Sequence, residues 1–223
     1  MNGRTLQWAT EKLGSEKRLE AELLLCHVLN TNRALLLAHD ADELSSEQVD
    51  AFQQMVQQRM QDVPLQYLLG TVDFMGLTLQ VTPAVLIPRF DTERLVEQAL
   101  KLLEELEQPT VLDVCTGSGA IALAISHYKP QATVWAGDLS AEALAIAAQN
   151  NEQCNTHVQF RQGDLLTPFS HLEGKLDLLT ANPPYITTSE INELPGDVLQ
   201  EPRLALWGGN DGLFLSKVKC CRA

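Results

Sequence analysis

A chain of 223 residues is long enough for one large or two small domains with a sizeable core. A formal charge of −13, with a pI near 4.7 and no Lys/Arg cluster, argues against gripping a nucleic-acid backbone and favours a basic protein partner. The five cysteines, Cys26, Cys115, Cys154, Cys220 and Cys221, show no metal-site spacing, and no apolar run reaches membrane length, so a soluble cytoplasmic protein with reduced thiols and no metal is expected.

Residues 1–70 read as a small all-α domain. Ser15 is expected to cap a helix through about Leu29, with Leu19, Leu23, Leu24, Val28 and Leu29 as its apolar stripe. Ser45 and Ser46 open another, with Val49, Phe52, Met55, Val56 and Met60 at helical spacing. Pro64 interrupts it before a last turn or two at Leu65–Leu69. The stripe serves either a partner or the bundle's own core. His27 and His39 fit surface or capping positions better than a metal site.

Residues 71–90 read as a β-hairpin linker. Val72, Phe74, Leu77, Leu79 and Val81 surround a turn at Met75-Gly76. Asp91 is then expected to cap a helix whose buried face is Leu95, Val96, Ala99, Leu100, Leu103 and Leu106.

Residues 91–223 have an α/β rhythm. Thr110–Val114 is the first strand, Cys115–Gly119 a loop, and Ala120 to about His127 a helix. Glycine lets a ligand approach the backbone of such a loop, and the absence of Gly-Lys-Ser/Thr excludes a P-loop. The next strand, from Ala132, ends at Asp138, where a carboxylate suits the ribose hydroxyls of a nucleoside cofactor. Capping of the 141–150 helix by Asp138 or Ser140 is the other reading. A third strand over Val158–Arg161 leads to Gly163-Asp164-Leu165, either an ordinary turn or a place for an adenine amino group on Asp164 and its ring on Leu165.

The fourth strand carries Leu178 and Leu179 and is stopped by Pro183 and Pro184, leaving Asn182 at its carboxyl end. The Asn182 side-chain oxygen and the Pro183 carbonyl are two fixed acceptors, and Tyr185 adds a flat aromatic surface. Such an array suits a planar –NH2 group. Glu201–Leu206 and Gly208–Leu213 read as a loop opening into a final helical turn.

Asn182-Pro183-Pro184-Tyr185 resembles motif IV of the amino-methyltransferases, and Asp113–Gly119 resembles motif I of Rossmann-like methyltransferases, with Cys115 where glycine is usual. Gln66–Gly70, Phe74-Met75-Gly76, Leu86–Arg89, Asp91-Thr92-Glu93, Glu201-Pro202 and Asp211-Gly212-Leu213 extend the likeness. Together they resemble the HemK/PrmC family, the peptide-chain-release-factor glutamine methyltransferases. Phe90 departs from a common proline.

The resemblance implies a Rossmann-like class I methyltransferase domain behind a helical substrate-recognition domain. It also implies methyl transfer from S-adenosylmethionine to the glutamine amide of the release factors' Gly-Gly-Gln motif, in translation termination. It places the cofactor on Thr116, Gly117, Ser118, Gly119, Ala120, Asp138, Asp164, Leu165 and Asn182. The substrate falls on Asn182, Pro183, Pro184 and Tyr185, with Asn182, Pro183 and Tyr185 as the catalytic set. An amide nitrogen is a poor nucleophile, and holding both its hydrogens on two acceptors orients the lone pair without a covalent intermediate.

Alternatives are a ribosomal-protein glutamine methyltransferase, a nucleic-acid adenine methyltransferase (disfavoured by the charge) and an inactive cofactor-binding remnant. The resemblance implies a seven-stranded sheet, whereas about four parallel strands precede the tail Lys217-Val218-Lys219-Cys220-Cys221. The expectation is therefore a member with its sheet incomplete at the C-terminus.

Overall fold

The computed structural model describes residues 2–38 and 43–213. His39, Cys220, Cys221 and the tail from Lys217 lie outside them. The described residues divide into two units, one running to Leu69 and including Gly196–Gln200, the other Gly70–Pro195 with the segment from Glu201 onward.

In the first unit the helices that precede Gly70 are α1 (Asn2–Leu13), α2 (Arg18–Leu29), α3 (Arg33–Ala38), α4 (Ser46–Met60) and α5 (Leu65–Leu69). Ser45 caps α4 in a reciprocal capping box, its hydroxyl accepting from Gln48 N–H while the Gln48 side chain accepts from Ser45 N–H. Ser15 does not cap α2. It starts a single 3-10 turn, and α2 begins only at Arg18, because Gly14 turns the chain with φ 103°. Asn30, left-handed at φ 48°, ends α2 and lets Thr31 N–H return to the Cys26 carbonyl at 2.9 Å.

Ala9, Ala21, Leu24, Leu25, Leu36, Phe52 and Val56 form this unit's core, each large side chain contributing about 1.5–3 kcal/mol on burial. The buried face of α2 is thus rotated from the expected stripe, with Leu25 inside and Leu19 exposed; Met60 of α4 is exposed too. Two buried charges hold the helices together. Glu22 accepts from Arg33 and Arg18, and although burial raises its pKa these two cations bring it below the usual carboxylate value. Arg59 donates to Glu20 at 2.6 Å.

The second unit begins with a hairpin, β1 (Thr71–Phe74) and β2 (Leu77–Gln80), turning at Met75 and Gly76, both with positive φ as a primed turn requires. Phe74, Leu77 and Leu79 pack with Val96 and Ala99 of α6 (Phe90–Leu102) and with Val111, Leu123 and Ile125. The residues expected as a linker therefore contribute to this unit's core. Asp91 is not the cap of α6: Arg89 holds the extended N-cap position, and Asp91 falls in the first turn, where its charge still complements the helix dipole. Leu106 lies beyond the helix and is exposed.

The remaining elements are β3 (Thr110–Val114), α7 (Ala120–Tyr128), β4 (Thr133–Asp138), α8 (Ala141–Gln153), β5 (Val158–Gln162), β6 (Leu178–Ala181), α9 (Gly196–Leu199) and α10 (Arg203–Leu206). Among the described residues the sheet has the order β5-β4-β3-β6, all parallel. Alternation places Val111, Val134 and Ala136 against α7 and the hairpin. Leu112, Val114 and Trp135 take the other face, under Phe169 and Leu172. The chain steps outward from β3 to β4 to β5 and then returns to β6 on the far side of β3. The crevice between the carboxyl ends of β3 and β6 is therefore the topological switch point, where open α/β sheets bind ligands.

Candidate functional site

Four strand ends deliver the site. A cavity of about 290 Å³ opens beside them, lined by Thr116, Gly117, Ser118 and Ala120 after β3, Asp138 at the end of β4, Asp164 and Leu165 after β5, and Asn182 and Pro184 after β6. Gly119, Pro183 and Tyr185 are off the cavity wall, and Tyr185 is 68 % exposed.

The loop after β3 alternates into left-handed backbone at Cys115, Gly117 and Gly119, with φ of 58°, 56° and 84°. A Cβ at Gly117 would meet nothing within 4 Å, so this stretch of backbone is open to an occupant of the cavity. Gly119 differs: a Cβ there would come within 3.1 Å of Leu123 and 3.2 Å of Ala147, so its role is close packing of α7 and α8. At Cys115 the positive φ accounts for why glycine suits the position. Burial, with the nearby Asp138, Asp113 and Asp164 carboxylates, pushes the Cys115 thiol up to about 12, leaving it protonated and unreactive.

Asp138 braces the loop. Its Oδ2 accepts the Gly117 N–H at 2.8 Å and its Oδ1 accepts the Ser140 N–H at 2.9 Å. Ser140 itself caps α8, accepting from Ala143 N–H at 3.1 Å. Capping of α8 thus falls on Ser140, and each Asp138 oxygen keeps lone-pair capacity for a further donor. At β5 the Asp164 carbonyl closes a turn to Thr167 N–H at 3.0 Å and Leu165 is left-handed at φ 49°, while both residues line the cavity.

The motif after β6 is held from behind. Ile186 N–H donates to the Leu206 carbonyl at 3.0 Å and Gly208 N–H to the Ile186 carbonyl at 2.8 Å, a parallel bridge beside Trp207. A Cβ at Gly208 would sit 2.7 Å from the Pro184 carbonyl and from Tyr185 Cα, so only glycine allows this approach.

Several contributors were not among the expected site residues. Pro83, Ala84, Val85, Leu86 and Pro88 form a wall of the cavity, as do Pro202, Leu204 and Ala205. Buried Glu201 joins the two segments, accepting from Ile87 N–H at 3.0 Å and from the Arg89 guanidinium. Glu201-Pro202 and Leu86–Arg89 each stood out in the sequence, but the pairing between them, across more than a hundred residues, did not. Asp113, fully buried, accepts from Thr116 and Thr180, and burial pushes its carboxyl up to about 7 despite these two hydroxyl donors, with Asp138 adding to the rise. Among the described residues, no group of His, Cys, Asp and Glu is placed to hold a metal, and no helix is long and apolar enough to cross a membrane.

Two family models match the chain, the PrmC N-terminal domain over residues 4–70 and the methyltransferase small domain over residues 91–201. The release factor glutamine methyltransferase of Moorella thermoacetica is 49 % identical over 198 residues, covering 88 % of this chain and 69 % of that protein. The protein of the same name from Xylella fastidiosa strain 9a5c is 44 % identical, covering 92 % and 73 %. That from Bordetella pertussis is 45 % identical, covering 88 % and 72 %. Among solved structures, the hMettl16 catalytic domain in complex with MAT2A 3′UTR hairpin 6 superposes with a TM-score of 0.52 at 16 % identity, over 64 % of this chain and 55 % of that one, a likeness of fold.

Proposed function

Because this chain belongs to the release factor glutamine methyltransferase family, we propose that it methylates the side-chain amide nitrogen of the glutamine in the Gly-Gly-Gln motif of peptide chain release factors, using S-adenosylmethionine. The observation that carries the proposal is the convergence of the open Gly117 backbone, Asp138, Asp164 and Asn182 on one cavity at the sheet's switch point.

The cavity fits such a cofactor. Backbone without a Cβ faces it at Gly117, its lining is mostly apolar, and two carboxylates from successive strand ends enter it. Thr116–Ala120 would hold the amino-acid part, Asp138 the ribose hydroxyls, and Asp164 with Leu165 the adenine. When bound, S-adenosylmethionine supplies an electrophilic methyl group.

The protein's own contribution is orientation. The Asn182 side-chain oxygen and the Pro183 carbonyl accept the two N–H hydrogens of the substrate amide. Two prolines keep these acceptors from moving, and exposed Tyr185 offers its ring to the glutamine side chain. Fixed acceptors of this kind cost no reorganisation at the moment of reaction. The helical domain, residues 1–70, is the candidate for recognising the folded release factor, and the charge of −13 suits a basic protein surface.

The test is calorimetric titration of the 223-residue chain with S-adenosylmethionine, followed by mass spectrometry of a release factor incubated with both. Micromolar binding and a single added methyl on the motif glutamine support the proposal. A folded chain that binds no cofactor overturns it.

A further inference from the structure

We propose that Asp113, which does not line the cavity, is a positioning residue that locks the cofactor loop to the strand carrying Asn182. The inference rests on the proposed function above for its kinetic consequence, but not for its structural one.

Asp113 is fully buried in β3, with an apolar neighbour, Val111, on the same face of the strand. Its two oxygens point to two different parts of the site. Oδ2 accepts from Thr116 Oγ1 at 2.6 Å, and Thr116 lies in the glycine loop. Oδ1 accepts from Thr180 Oγ1 at 2.7 Å, and Thr180 is the direct register partner of Asp113 across β3 and β6, two residues before Asn182. Both lengths fall within the ordinary range for O–H···O bonds. One planar carboxyl group, held by its own strand, therefore sets the spacing between the cofactor loop and the amide-binding acceptors. The backbone ladder alone cannot do this, because paired residues end at Val114 and Ala181 and both functional segments lie beyond it.

A buried carboxyl is costly to keep, and an apolar side chain would fill this layer more cheaply. What an apolar replacement could not supply is a link in two directions. Thr180→Val tests this directly: it is nearly isosteric, removes one link and leaves the Asp113–Thr116 bond in place. Thr180→Ser keeps the hydroxyl.

The first readout needs no cofactor. Hydrogen exchange of the free chain should show the loop Cys115–Gly119 exchanging about tenfold faster in Thr180→Val, with Thr180→Ser close to the parent chain. Unchanged exchange in that loop would overturn the proposal, because among the described residues the Thr180 hydroxyl is linked to the loop through Asp113. The second readout is kinetic. The affinity for S-adenosylmethionine should stay within about threefold while kcat on a release factor falls about 10- to 100-fold, as misplaced acceptors require. Equal losses for Thr180→Val and Thr180→Ser, following thermal stability, would also overturn it. A parent chain that transfers no methyl would refute the proposed function while leaving the exchange result to decide this one.

Discussion

Asn150 grips both backbone polar groups of Gln80, its Oδ1 accepting the N–H at 2.7 Å and its Nδ2 donating to the carbonyl at 3.1 Å. The same Nδ2 donates to the Ser118 carbonyl at 2.9 Å. A single fully buried side chain on α8 therefore ties the last residue of the hairpin to the glycine loop that lines the cavity.

Replacing it should loosen both. Asn150→Asp retains an acceptor for Gln80 N–H but loses both donated bonds and buries a carboxylate against two carbonyls. Leaving a buried polar group unpaired costs about 1–3 kcal/mol. The expected result is a fall of at least that size in unfolding free energy by denaturant titration. Cofactor affinity should weaken with it, measured calorimetrically below the melting temperature.

Asn182→Ala should separate chemistry from fold. Asn182 lies beyond the end of β6, and none of the hydrogen bonds that brace the motif from behind runs through its side chain. We expect kcat to fall by about 10²–10³, the usual loss for one preorganised polar group. The melting temperature should stay within about 2 °C. Asn182→Asp should be as severe, since a charge replaces the neutral acceptor; methyl transfer followed by mass spectrometry reads both.

Asp113 should make stability depend on pH. Burial pushes its carboxyl up to about 7, with Asp138 adding to the rise and the Thr116 and Thr180 hydroxyls opposing it. A raised pKa means that the folded chain holds the proton more tightly than the unfolded chain does. The resulting stabilisation is complete below about pH 4 and is lost as pH rises through 7. Asp113→Asn should abolish this component, so the difference in stability between parent and variant should change across pH 4–8 and level off above it. Parallel denaturant titrations at several pH values would measure it.

Cys115→Gly should stabilise the chain. Cys115 holds φ 58°, a conformation that costs an ordinary residue about 1 kcal/mol. Glycine adopts it freely but loses more entropy on folding, so the net gain expected is below about 1 kcal/mol. A rise in melting temperature with unchanged cofactor affinity is the expected result, seen by thermal unfolding with and without cofactor.

How much of this was legible beforehand varied with the range of the interactions. The sheet strands could be read from short apolar runs, and the hairpin from alternation around the two-residue turn at Met75-Gly76, because both signals are local. The Ser45 cap was equally visible, since Gln48 three residues on completes it. Two other caps were misplaced, one for a tertiary reason and one for a local one. Arg89, paired with Glu201, holds the extended conformation from which α6 starts, so the helix begins before Asp91 can cap it. Gly14 delays α2 past Ser15.

Local patterning along the chain was enough to read the class of fold and which segments end at the sheet's carboxyl edge. Hydrophobic periodicity and proline stops act over a few residues. Which side chains face one another depends on how distant segments pack. Register sets Thr180 opposite Asp113, and packing brings Glu201 to Ile87 and Asn150 to Gln80 and Ser118. These are contacts between buried polar groups far apart along the chain. Their partners are selected by the cost of leaving any one of them unpaired away from water, and that cost exists only once the core has closed around them.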